Sequence, residues 1–220
     1  MALESSGAMS LGGSTVGRSV NCELGFSGTA QICMNQTDVR DLVGISSGAI
    51  SFSNFYGASA GPGIGDNLCG GYYTGVITVG AQEYCLIVAP NATGCGDCVG
   101  ATSCFTTSAT DVNDGYLNTY SYLNSSTFPA ANFTATRSIG GFSDWYTPAC
   151  NEMNQMYTYK NSMPGGQGYS SGFFAGTYWS STENYANRIW GREFGNGSWF
   201  VMTKNFELPI RAIRRTTTLE

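Results

Sequence analysis

Residues 188–194 and 198–203 are two strand-like runs rich in aromatic and β-branched side chains, with Gly195, Asn196 and Gly197 between them. Asn-Gly between two such runs is a strong hairpin signal, because a type I′ turn needs φ > 0 at both central positions. The period of two puts Trp190, Arg192 and Phe194 on one face and Ile189, Gly191 and Glu193 on the other. Further strand signals at 176–182 and 209–214 flank the pair, so the C-terminal part reads as an antiparallel meander.

The same reasoning finds an earlier hairpin. Residues 72–79 and 84–89 are β-branched and aromatic runs, joined by Gly80, Ala81, Gln82 and Glu83 and stopped by Pro90 and Asn91. Between the two β regions, residues 91–138 read as polar loops with one helix at 115–123, its face made by Tyr116, Tyr120 and Leu123. A second helix follows, with Thr147 as N-cap, Pro148 in the first turn and Met153, Met156 and Tyr157 on a buried face. Thirty glycines and 11% charged residues in a 220-residue chain agree with a turn-rich β fold and disfavour long helices.

Residues 1–57 differ. They are short polar stretches with small apolar residues, one short helix at 35–42 capped by Asn35 or Thr37, and a strand or docking turn at 51–56. So few large apolar residues are expected to build little core alone, so this segment is read as an attachment arm ordered by another chain. A flexible leader is the alternative. Glycine and proline mark residues 58–63 as a linker, leaving 64–220 as one domain.

The formal net charge of −5 gives no electrostatic case for nucleic acid, and Arg211, Arg214 and Arg215 on the last strand read as structural pairing groups. The absence of histidine excludes Ser-His-Asp and Cys-His catalysis. No apolar run reaches membrane-spanning length, so no membrane insertion is expected. Residues 1–10 lack the pattern of a signal peptide, so synthesis in the cytoplasm is expected. Eight cysteines leave three readings open: loop-stapling disulfides, free thiols, or a metal or redox group at Cys95, Cys98 and Cys104 with Cys85 or Cys150.

The ordered motifs GFSDWYTP, NEMNQMY, YWSSTE and PIRAIR, preceded by GGYYTGVITV and EYCLIVAP, resemble a family of C-type-lectin-like domains, the C-terminal domain of a collagen-like bacterial adhesin. The resemblance covers about residues 64–215. It implies an α+β, β-rich lectin-like domain with one or two short helices behind a small irregular N-terminal segment. The stretch SVNCELGFSGTAQICMNQTDVRDLVGISSGAISFSNFYG resembles a module at the front of tailed-phage virion proteins. Together they imply a tail, baseplate or fibre component, made in a host cytoplasm and carried on the virion. It would dock to other virion proteins through residues 1–57 and face a host-surface glycan or protein as a homo-oligomer, with a trimer expected. The Glu-Pro-Asn, Gln-Pro-Asp and Trp-Asn-Asp motifs of calcium-dependent lectins are absent, so no metal or other cofactor is expected.

In this fold the ligand-facing surface lies on the last strands and their loops. The resemblance therefore points to Asn184, Tyr185, Asn187, Arg188, Trp190, Arg192, Asn196, Ser198 and Trp199, residue types suited to recognition. Trp190 and Trp199 equally fit a core pair across the hairpin. Trp145 and Trp179 are expected in the core. Phe52, Phe55 and Tyr56 are the expected virion-docking residues. Asp144, Glu152 and Glu183 could serve as paired carboxylates in glycoside hydrolysis, but fit better as turn caps or partners of arginine, so no enzyme is expected. A cellular adhesin and a purely structural joint protein are the alternatives.

Overall fold

The computed structural model describes residues 3, 9–12, 18–56, 61–99, 106–123, 125–163, 173 and 175–217, with the backbone alone for residues 22, 92–93 and 95–99. The chain divides into two compact units, Met1–Gly63 and Ile64–Glu220. Of the expected linker, residues 58–60 lie outside the described residues.

The first unit holds α1 (Val20–Glu23), α2 (Thr37–Leu42) and a 3-10 helix at Phe52–Phe55. The expected helix is present but starts late. Gln36 is its N-cap, and no side chain caps it. Asn35 instead accepts from Arg40 Nε at 3.0 Å, while Arg40 also donates to the carbonyls of Ile45 and Gly48. One arginine thus closes the loop that follows α2. The unit has a small core of its own, with Leu3, Val20, Val39, Leu42 and Phe55 buried together. This corrects the expectation of little core: the apolar residues are few, but they converge. The strand option at 51–56 is also replaced. Asn54 Oδ1 accepts from Ser51 N at 2.7 Å and folds the segment into a 3-10 turn.

The second unit begins with β1 (Asn67–Leu68), β2 (Gly71–Val79) and β3 (Gln82–Val88). Val79 faces Gln82, so Gly80 and Ala81 alone make the turn, with Gly80 at φ 64°. Then come α3 (Asn91–Gly94), β4 (Cys95–Val99), α4 (Gly115–Leu117) running into a π-helix (Asn118–Leu123), α5 (Pro129–Ala135) and α6 (Cys150–Thr158). The chain ends in β5 (Thr177–Tyr185), β6 (Arg188–Glu193), β7 (Trp199–Thr203), β8 (Glu207–Arg211) and β9 (Ile213–Thr216).

Three sheets result among the described residues: β1-β2-β3-β9, β4-β8 and β5-β6-β7. The expected last strand is two strands, broken at Ala212. Ala212 N donates to Gly94 O, and Ile213 exchanges bonds with Tyr146 at 2.8 and 3.0 Å. The break lets one stretch of chain serve two sheets and sets the last strand beside β3, near the start of the unit. The main core lies where Met153 and Met156 of α6 meet Leu86, Val88, Tyr178, Phe194 and Ile213. Full burial of each such side chain contributes ~1.5–3 kcal/mol.

Several local expectations are corrected. Residues 91–138 hold β4 and α5 as well as loops. In the 115–123 segment the chain widens to a π-helix, so Asn118, Thr119 and Leu123 are buried and Tyr116 is exposed. Helix α6 is capped at Ala149, not Thr147. Thr147 is buried, its hydroxyl 2.9 Å from that of Thr134 and its N–H given to Thr119. The turn between β6 and β7 is also wider than a type I′ turn. Gly197 N donates to Glu193 O and Glu193 N to Ser198 O, enclosing four residues. Only Gly197 there has positive φ, at 83°, and a Cβ on it would strike the Tyr157 ring at 2.7 Å. No helix among the described residues is long and apolar enough to cross a membrane.

Candidate ligand-binding site

The β6–β7 register pairs Arg192 with Trp199 and Trp190 with Val201. Trp190 and Trp199 therefore sit diagonally on one face. Their rings meet edge to face, centroids 6.3 Å apart at 87°. Such a pair contributes ~0.5–1.5 kcal/mol beyond its buried area. Trp199 leans on the core, but both rings remain half-buried and wall a groove.

The opposite wall comes from α6. Its buried face carries Met153 and Met156, so Cys150, Asn151 and Asn154 point the other way. With Val112 they complete a groove of about 370 Å³ around the two tryptophans. Arg192 lies beneath, 8% exposed, its guanidinium between the rings of Tyr157 at 4.5 Å and Trp199 at 4.9 Å. Burial lowers its pKa, opposed by Tyr157 and Cys150, but an arginine stays charged through such a shift. Its Nη1 donates to Asn154 Oδ1, and its Nε is buried with no hydrogen-bond partner among the described residues.

Amide to amide, the polar wall is ordered. Asn154 Nδ2 donates to Asn151 Oδ1 at 3.1 Å, and Asn151 Nδ2 to Asn113 Oδ1 at 2.6 Å. Across Asn151 lies a second groove of about 240 Å³, lined by Val76, Ile77, Thr78, Asn113, Asn151, Glu152 and Gln155.

Of the nine residues expected to face ligand, Trp190, Arg192 and Trp199 come together. The rest do not join them. Asn184, Tyr185, Asn187 and Arg188 cluster at the β5–β6 turn, with Tyr185 67% exposed. Asn196 and Ser198 sit at the other end of β6, ~20 Å away at ~3.3 Å per residue. There Asn196 Oδ1 accepts from Ser198 N at 2.9 Å and shapes the turn. The sequence reasoning missed Val112, Cys150, Asn151 and Asn154. The signal was present: Asn151 and Asn154 are three apart on the polar face of an identified helix, where a solvated face is the ordinary reading.

The carboxylates have other partners. Asp144 takes a two-point bond from Arg214, Nε to Oδ1 at 2.7 Å and Nη2 to Oδ2 at 2.9 Å. Buried Glu183 pairs with buried Lys204 and accepts from Thr107 N at 3.0 Å. Glu152 is enclosed, accepting from Tyr146 Oη and Ala149 N at 2.7 Å and Gly115 N at 3.1 Å. Burial pushes its carboxyl up to about 7, against the pull of those donors. The last-strand arginines are pairing groups. Arg211 donates to Ala89 O at 2.7 Å and Arg215 to both oxygens of Asp114.

Cys33, Cys85 and Cys150 are free thiols. Burial raises the Cys150 pKa, so the thiol beside the groove stays protonated at neutral pH. Cys104 lies outside the described residues, as do the side chains of Cys95 and Cys98, which leaves the metal or redox reading of that group there. In the first unit Phe52 is 46% exposed and Tyr56 is exposed, but Phe55 is fully buried among Val20, Val39 and Leu42. Phe55 is thus a core residue and not a docking contact.

A strand-built face, two half-buried tryptophans and a wall of asparagines make up the candidate site. The model of the Lcl C-terminal domain family, a lectin-like family, matches residues 100–214, and the chain belongs to that family. No curated protein matches it.

Proposed function

We propose that the second unit is a non-catalytic recognition domain that holds a cell-surface saccharide in the Trp190–Trp199 groove. The observation that carries this reading is the perpendicular tryptophan pair facing Asn151 and Asn154 across about 370 Å³. Aromatic faces take the C–H surface of a sugar ring, and amides take its hydroxyls. Among the described residues the groove lining holds no carboxylate, and the proposed binding needs no calcium. We further propose that the first unit attaches the domain to a virion tail, baseplate or fibre, with Phe52 and Tyr56 as the exposed aromatic contacts. The support is the resemblance of residues 19–57 to a front module of tailed-phage virion proteins. Display as a homotrimer would multiply a weak single-site affinity.

The test is a glycan array probed with the full chain, with and without EDTA, beside Trp190→Ala. Saturable binding that survives chelation and is lost in the variant supports the reading. Binding abolished by EDTA, or equal in both proteins, overturns it.

A further inference from the structure

The two grooves adjoin. Val112 lines the first and its neighbour Asn113 the second, while Asn151 lines both. A single oriented chain of hydrogen bonds crosses from one to the other: Arg192 to Asn154, Asn154 to Asn151, Asn151 to Asn113. Each amide in that chain has its donor and acceptor ends assigned by its neighbour, so the wall presents a fixed pattern along its length. In the second groove Gln155 Nε2 is held by the carbonyls of Thr74 at 2.7 Å and Val76 at 3.3 Å, which leaves its Oε1 as an acceptor. Thr78 adds a hydroxyl beside exposed Val76.

Size and charge narrow the ligand. The first groove alone, about 370 Å³, falls inside the ~300–1,000 Å³ of small-molecule sites, while the second, about 240 Å³, falls below it, so the second extends the first and is no site by itself. The walls offer a polyanion no partner. Arg192 is buried under Trp199 and tied to Asn154, and among the described residues no cation lines either groove. Among the described lining residues the one carboxyl, Glu152, is enclosed by three donors.

From this we infer that the site takes a linear, uncharged oligosaccharide across at least two adjoining rings, one against the tryptophans and the next in the Asn113–Gln155 groove. A lone sugar would leave the second groove unused, and a sulfated polymer would meet no cation among the described lining residues. The inference rests on the saccharide-binding reading above.

The experiment titrates the full chain with malto-, cello- and chito-oligosaccharides of one to six units, and with heparin as the sulfated arm. One neutral series is expected to gain about tenfold or more in affinity from one to four units and then level off. Thr78→Tyr, which fills the second groove from an exposed strand position, is expected to cut that gain to below about threefold. Gln155→Ala is expected to reduce it in the same sense. A monosaccharide binding as tightly as a tetrasaccharide sinks this inference but leaves the saccharide reading standing. So does Trp190-dependent binding of heparin in preference to every neutral series. No binding by any of the four ligands sinks this inference, and the saccharide reading falls with it only where the glycan array is also blank.

Discussion

Trp145 and Trp179 are 0% and 1% exposed, while Trp190 and Trp199 stand half-open on a groove. All four lie on the same unit, in motifs of similar composition. What separates them is the layer opposite. Trp145 faces Ile87 and Ala212, with its indole N–H given to Phe142 O at 3.0 Å, and Trp179 faces Ala130, Ile189 and Ile210. Trp190 and Trp199 face the asparagine side of α6, which cannot interdigitate with them. The charges divide the same way. Glu183 with Lys204, Asp144 with Arg214 and Asp114 with Arg215 hold the fold together, and the groove is left to aromatics and amides. In a chain with 11% charged residues, these ion pairs tie the elements of the fold together, while the described groove lining is neutral.

The contrast can be broken most sharply at the buried ion pair. Lys204→Met strands Glu183 in the interior and is expected to cost ~3–5 kcal/mol, read as a drop in the urea midpoint. A cost below about 1 kcal/mol would mean the pair is not needed for the fold. Next comes the tryptophan contrast itself. Trp179→Ala is expected to lose ~3–5 kcal/mol of stability. Trp190→Ala is expected to lose only about 1 kcal/mol, the scale of the edge-to-face contact, while losing saccharide binding. Equal losses of stability in both would make Trp190 a core residue.

Glu152 sharpens the comparison through pH. Its folded pKa, about 7, lies above the value of 4.5 for a free glutamate, so the folded state holds a proton that the unfolded state has released. Stability therefore falls as pH rises from about 4.5 to about 7 and then levels off, by up to about 3 kcal/mol at 1.36 kcal/mol per unit. Urea midpoints at pH 5 and pH 8 should show this decline in the native protein and lose it in Glu152→Gln. The same slope in both would mean the carboxylate is ionised throughout. The smallest effect is expected at Tyr185, outside the groove. Tyr185→Ser should change stability by less than about 0.5 kcal/mol and leave saccharide affinity as it was.

Much of the sheet was legible in the sequence. Strands β2, β3, β5, β6 and β7 are short apolar, aromatic or β-branched runs bounded by turn residues, and near neighbours make their bonds, so local residues suffice to place them. The polar middle was not legible. Strand β4 forms because β8 lies beside it, and α5 and the π-helix form because Ala131, Leu123 and Phe128 bury one another; no local period announces either. Thr147 looked like a cap and became a core hydroxyl because Thr119 and Thr134 surround it.

The candidate site divides along the same line. The sequence by itself determined a hairpin with Trp190, Arg192 and Trp199 on one face, because a shift of two residues in register, as the wider turn makes, leaves every side chain on the same face. It also determined a helix with an apolar stripe of Met153 and Met156. Only the tertiary structure decided that the polar side of that helix, about forty residues earlier in the chain, stands across from the tryptophans. A groove is made by surfaces that fail to close on each other, and that failure depends on non-local packing that no run of neighbouring residues encodes.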